Sequence, residues 1–159
     1  MQTLNTPEKP IVLVIDDDPQ ILLLCSRSLQ RSGFTILTAS GVAAAKEATA
    51  QRRQVVLLIV DVLLRPPVFR LPGQEVEKAA NGIEVLPSLQ RLFPHALPLI
   101  ISAYTKDELV AQGHDAGTTA FLQKPFDPST LRRTVEALLP GLAGQGGEPT
   151  DFGDDVWVD

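Results

Sequence analysis

The sequence predicts an α/β protein: a five-stranded parallel sheet with helices on both faces. Three observations predict it. Five short apolar runs recur along the chain, each separated from the next by an amphipathic stretch. Two of them, residues 11–15 (IVLVI) and 55–60 (VVLLIV), are apolar at every position, as strands buried on both faces are. Strict strand–helix alternation implies right-handed crossovers, which place helices on both sides of a parallel sheet.

The elements follow in order. The first strand is 11–15. The second, 34–39 (FTILTA), alternates weakly. The third is 55–60, the fourth 97–102 (LPLIIS), the fifth 119–123 (TAFLQ). The first helix spans 19–31, with Asp18 as N-cap, Pro19 as its first residue and Gly33 as the stop. An Ala-rich helix is predicted over 42–53. The third, 82–93 (GIEVLPSLQRLF), is helical despite Pro87. A fourth is predicted over 106–116, ending at Gly117. The fifth covers 128–139, capped by Asp127 and closed by Pro140-Gly141. Two segments break the alternation: 65–80 (RPPVFRLPGQEVEKAA) and the tail from 141, a Gly-rich linker that turns acidic (DFGDDVWVD). This divides the chain into an N-terminal extension (1–8), one domain (9–139, with the insertion at about 65–80) and a flexible acidic tail (140–159).

Composition removes several function classes. A net charge of −5 and a pI of about 5.0 argue against a nucleic-acid surface, which needs a basic stripe. A lone cysteine, Cys25, leaves no internal disulfide and fits a reducing cytoplasm; within an apolar stretch it reads as a small core residue. The N-terminus lacks the apolar region of a signal peptide, and no run is long enough to span a membrane. The Gly-rich GLAGQGG (141–147) follows a helix and lacks a P-loop Lys-Ser/Thr. His95 and His114 stand alone and do not form a metal set.

Ligands of open parallel sheets sit beyond the strand C-termini. Asp16, Asp17 and Asp18 follow the first run, Asp61 the third, and Lys124 the fifth; Ser102 ends the fourth. Strands about 4.8 Å apart let these ends converge. Any one of them alone is unremarkable, since an Asp after a strand is commonly a cap, and Asp18 before Pro19 reads as one. Together they pair crowded carboxylates with a lysine and a hydroxyl. A hard divalent cation is the natural partner of such carboxylates, Mg²⁺ being one that binds through one or two and keeps several waters. Asp61 is then placed as acceptor for in-line phosphoryl attack, with cation and lysine offsetting the charge of the phosphoryl oxygens and Ser102 hydrogen-bonding one of them.

The stretches VLVIDDDP, LLIVD ending at Asp61, NGIEVL (81–86), LIISAYT (99–105) and FLQKPF (121–126) resemble the receiver domain of two-component response regulators, the CheY-like family. The resemblance covers roughly residues 8–139. It implies a flavodoxin-like doubly wound sheet of strand order 2-1-3-4-5. It implies that Asp61 is the phosphoacceptor in a phosphorelay, that Asp16 and Asp17 hold Mg²⁺ with Asp61 and the backbone carbonyl of Leu63, that Ser102 is the switch hydroxyl, Phe121 the switch aromatic and Lys124 the phosphate-contacting lysine. It implies a cis Lys124–Pro125 bond. The donor would be a sensor histidine kinase or phosphotransfer protein. A downstream protein effector would read the face of the fourth helix, fifth strand and fifth helix, through which a homodimer also fits. Direct nucleic-acid or membrane binding is not implied. Such a protein is no enzyme beyond catalysing its own phosphoryl transfer and dephosphorylation.

Three features depart from the family. From Asp61 to Gly82 the chain runs 21 positions, a loop longer than usual by roughly a dozen residues, and long ordered loops are uncommon. It reads as a mobile surface insertion or as a lid or docking element anchored by Val68, Phe69 and Leu71. Leu63 and Tyr104, two positions beyond Asp61 and Ser102, are bulky and poorly suited to position a hydrolytic water, so a long-lived acyl phosphate is expected. After residue 139 come about twenty tail residues, with no basic helix-turn-helix or other output module among them, as expected either of a stand-alone receiver or of a piece of a larger chain. Two alternatives remain: a receiver-like interaction module that is never phosphorylated, and a haloacid-dehalogenase-type phosphatase using Asp16 as nucleophile. Against the second, Gln20 is wrong for that family's first motif and Asp61 has no role.

Overall fold

The structure, a computed structural model, describes residues 9–62 and 82–141. The chain runs β1 (Ile11–Ile15), α1 (Pro19–Gln30), β2 (Thr35–Ala39), α2 (Val42–Glu47), a 3-10 turn (Arg52–Gln54), β3 (Val55–Asp61), α3 (Gly82–Leu92), β4 (Leu97–Ser102), α4 (Lys106–Ala111), β5 (Ala120–Gln123) and α5 (Pro128–Leu138). The five strands pair in parallel in the order β2-β1-β3-β4-β5. This is the doubly wound order the sequence implied. Strand order reverses between β1 and β3, so the crevice outside their C-termini is the place for a ligand.

Alternating strand residues face two separate cores. Ile11, Leu13 and Ile15 of β1 join Leu86, Leu89 and Phe93 around α3 and Leu109 of α4. Val12 and Val14 point the other way, against Cys25 and Leu29 of α1 and Leu131 and Val135 of α5. Because both faces are covered, β1 has no polar position to spare, which explains its unbroken apolar run. In β3 the parity slips once: Ile11 pairs with Val55 but Val12 pairs with Leu57. The extra residue, Val56, puts Val55 and Leu58 on the same side.

Helix starts match the caps read from sequence. Asp18 accepts the Gln20 amide at 2.9 Å ahead of Pro19, and Asp127 accepts the Thr130 amide at 2.7 Å ahead of Pro128. That backbone bond, with those from the Ser129 and Thr130 side chains, holds the Asp127 carboxyl down at about 2. Pro87 sits inside α3, a position that costs about 3 kcal/mol. Burial of Leu89 and Phe93 and near-burial of Leu86 offset it.

Two helices are shorter than predicted. α2 ends at Glu47 rather than 53, and the chain re-forms as a 3-10 turn at Arg52–Gln54. The Ala-rich run has helix propensity but offers only Ala45 as a buried contact inside the helix, too little to extend it. α4 ends at Ala111 rather than 116, because Gly113 adopts φ +86° and the His114 amide folds back to the Leu109 carbonyl at 2.7 Å. Gly117, taken from the sequence as the stop, is also left-handed (φ +59°) but lies in the following turn. The insertion 65–80, the extension 1–8 and the tail from 142 lie outside the described residues.

Nothing crowds a Cβ at Gly113, so replacing it isolates backbone strain. Gly113→Ala is expected to lower the unfolding free energy by about 1–2 kcal/mol, measured by urea denaturation. A change indistinguishable from zero would contradict this account of the α4 terminus.

Candidate functional site

Four strand ends build one edge. Asp16 is the first residue after β1, and its amide donates to the Ala39 carbonyl at the end of β2 (3.1 Å). Its carboxylate is fully buried and works in two directions. Oδ1 accepts the Asp18 amide at 2.9 Å, turning the chain into α1. Oδ2 accepts the Lys124 ammonium at 2.7 Å. Asp61 ends β3 and is 5% exposed, and the next amide, Val62, donates to Ile101 on β4 at 3.0 Å. Its Oδ2 lies 3.4 Å from the same Lys124 Nζ. Lys124 leaves β5 with its amide donating to the Ser102 carbonyl (2.7 Å), and the Lys124–Pro125 bond is cis.

Oxygens of Asp16, Asp17 and Asp61 all lie within 4.8 Å of one another. Oxygens sharing an octahedral Mg²⁺ at about 2.1 Å lie about 3.0 Å apart in cis positions and about 4.2 Å in trans. Small side-chain adjustments therefore bring this hard, all-oxygen set onto one ion, and the residues fit the metal.

The lysine's own pKa records the balance of forces. Burial, the largest single influence, pushes it down; the hydrogen bond to Asp16, the charges of Asp61 and Asp16 and the hydrogen bond to Asp61 together push it further up. Its net position is above the ordinary 10.5, so it is an ammonium at neutral pH. Beneath the site, burial first and the Asp16 charge second push the Cys25 thiol up to about 12, with Lys124 opposing. Cys25 is a protonated core residue, as its setting in the sequence suggested.

The remaining residues read from sequence are more dispersed. Ser102 is buried at the end of β4 with its Oγ accepting the Tyr104 amide at 3.0 Å, so the hydroxyl is turned into its own loop. Tyr104 and Phe121 are half-buried, and each packs against the α3–α4 core. Leu63 lies outside the described residues. Lys106, which the sequence did not single out, places its ammonium 5.7 Å from the Phe121 ring centroid. An exposed contact of this kind is worth about 0.5–1 kcal/mol. The signal was present as a cation at the first position of a helix, where the dipole disfavours it.

A parallel 2-1-3-4-5 sheet with an acidic cluster and a lysine at its switch point defines a receiver-type signalling domain. The chain belongs to the response regulator receiver domain family, whose model matches residues 12–136. It is similar to the transcriptional regulatory protein PrrA of Mycobacterium tuberculosis, 30% identical over 82% of this chain and 50% of PrrA. It is also similar to sporulation initiation phosphotransferase F of Bacillus subtilis, 25% identical over 81% of this chain and 93% of that one. Among solved structures, the chemotaxis response regulator CheY4 of Vibrio cholerae is 26% identical, with a TM-score of 0.63 over 83% of this chain and 100% of that one. The chain spans about half the length of several of the curated relatives it matches. Among the described residues, no helix is long and apolar enough to cross a membrane.

Lys124 stabilises the folded state while it is charged. Its folded pKa is raised, so that contribution is fully present below the unfolded value of about 10.4 and is lost as pH rises through the higher folded value. With divalent metal chelated, Lys124→Met should cost about 3 kcal/mol at neutral pH, because it leaves buried Asp16 without its cation. The gap between wild type and variant should narrow above pH 10.5. Urea titrations at neutral and high pH check this, and a gap that widens with pH would contradict it.

Proposed function

We propose that Asp61 is the phosphoacceptor of a two-component phosphorelay. The observation that carries the reading is one ammonium, Lys124 Nζ, set 2.7 Å from Asp16 and 3.4 Å from Asp61 beside three clustered carboxylates. A carboxylate oxygen of Asp61 attacks the phosphorus of a phosphohistidine on a sensor kinase or phosphotransfer protein. The P–N bond breaks, its electron pair stays on the imidazole, and that ring takes up a proton. Asp16, Asp17, Asp61 and the backbone carbonyl of Leu63 would hold Mg²⁺, which when bound offsets the charge on the phosphoryl oxygens.

The chain's own residues then respond to the new charge. Lys124 shifts from Asp16 toward a phosphoryl oxygen. Ser102 turns its hydroxyl from the Tyr104 amide toward another. Phe121, packed against the same core as Tyr104, moves inward as that loop shifts, and the face of α4, β5 and α5 changes with it. A protein effector, or a second copy of the chain, reads that face; neither nucleic acid nor membrane is a direct partner. The phosphoryl group biases two conformations that differ by only a few kcal/mol. The chain acts in the cytoplasm as a signalling protein and turns over no substrate but its own acyl phosphate. Residues 9–139 form the receiver unit, with the insertion at 65–80, the extension 1–8 and the tail 140–159 as additions to it.

Two outcomes test the reading. Incubation with acetyl phosphate and Mg²⁺ should add one phosphoryl mass to the wild type and none to Asp61→Asn, read by mass spectrometry. Labelling of Asp61→Asn equal to wild type would move the acceptor elsewhere and favour the phosphatase alternative at Asp16. The phosphorylated protein should persist for minutes or longer, because Tyr104 offers no small polar group to steer a hydrolytic water. Decay within seconds would contradict the assigned role of Leu63 and Tyr104.

A further inference from the structure

The charge of the chain is unevenly placed. Among the described residues acidic and basic side chains balance, eleven of each. Glu8 and the segment 63–81, with two acids and three bases, cancel one another. The whole net charge of −5 therefore belongs to residues 142–159, which hold Glu148, Asp151, Asp154, Asp155 and Asp159 and no base.

The body itself is polar from edge to edge. Parallel strands all start at one edge, opposite the acidic site. Lys9 lies just ahead of β1, Arg52 and Arg53 just ahead of β3, and the first residues of these two strands pair directly, Ile11 with Val55. Arg31 caps α1 ahead of β2, and Lys46 and Arg91 lie in the last turns of α2 and α3. All six side chains are exposed. Arg52 donates to the Lys46 carbonyl at 3.2 Å, which draws these two cations to the same corner. The acids at this edge are Glu47, Asp115 and Glu136, so a clear positive excess remains.

The acidic tail leaves the body at this same edge. α5 runs antiparallel to the strands and ends at Leu138, and Leu139 is buried with Leu29 and Phe34, which flank the turn between α1 and β2. Gly141 follows with φ +86°. The six residues 142–147 (LAGQGG) then separate the body from the first carboxylate. A Gly-rich linker of that length spans about 13 Å, against a strand spacing of about 4.8 Å. The starts of β1 and β3 are within reach, and a short linker holds the tail at a millimolar effective concentration.

We propose that residues 148–159 dock in cis on the basic edge formed by the starts of β1 and β3, with Lys9, Arg52 and Arg53 as the principal contacts. The inference is independent of the phosphoacceptor reading, since it concerns the opposite edge of the sheet. The tail screens the body's positive edge, and an acidic partner competes with it for that surface.

The only tryptophan of the chain, Trp157, lies in this tail and reports on it directly. Acrylamide quenching of Trp157 in the full chain is compared with that of a free 148–159 peptide. At low salt the chain should be quenched at least twofold less than the peptide, and at 1 M NaCl the two should agree. Lys9→Glu/Arg53→Glu should abolish the protection at low salt while leaving acetyl-phosphate labelling unchanged. Asp154→Asn/Asp155→Asn, in the tail itself, should do the same and keeps the test sound if the first variant fails to fold. Three outcomes would overturn the proposal: no protection at low salt, protection that survives 1 M NaCl and both variants, or protection that disappears on dilution, which would place the tail on a second copy instead.

Discussion

The Lys124 ammonium between Asp16 and Asp61 is the constraint on which the rest of the site depends. Three carboxylates meet at one sheet edge, two of them buried, and only a shared cation makes that arrangement tolerable in a metal-free protein. The geometry explains why the cation is a lysine. β5 lies three strands from β1, and each strand spacing is about 4.8 Å. The backbone of Lys124 is tied to the end of β4 through the Ser102 carbonyl, and the flexible four-carbon stem covers the remaining distance over β3. One side chain thereby joins the ends of the first strand, the third and the fifth, and its ammonium lies between the carboxylate that starts the turn into α1 and the one that ends β3.

That coupling makes the buried Asp16 more than one of three acids. One oxygen fixes the Asp18 amide and hence the start of α1, whose cap is Asp18 itself. The other holds the lysine. The buried carboxylate therefore ties the start of α1 to the end of β5 through its two oxygens. The low-dielectric setting, with Cys25 held protonated just below, strengthens both of these contacts.

The sheet and its edge were legible because they depend on period and order. β1 and β3 announce double burial by having no polar residue before the terminal Asp, and the chemistry-bearing residues sit where each run stops. Helix starts were legible for a similar reason: Asp18-Pro19 and Asp127-Pro128 are local cap chemistry. Helix ends were not. Residues 42–53 have Ala-rich propensity but lack buried contacts to use it. In QGHDAG two glycines compete, and only tertiary packing of Leu109 decides that the first ends α4. The Lys106–Phe121 contact left only an indirect trace, a cation at a helix start; its partner was not legible because it joins two elements whose distance no sequence spacing sets.

The same topology sorts charge across the molecule. Helices that return antiparallel to the strands start at the site edge and finish at the opposite one. Their N-termini carry a partial positive charge and their C-termini a partial negative one. Acids therefore gather at the site edge as caps and first-turn residues: Asp18, Glu84, Asp107, Glu108 and Asp127. Bases gather in last turns: Arg27, Lys46 and Arg91. A site meant to receive a phosphoryl anion is thus built at the more acidic end of the body. The positive helix ends and the Lys124 ammonium supply the compensation at short range, beside the clustered carboxylates. The acidic surroundings act at longer range, where salt screens them.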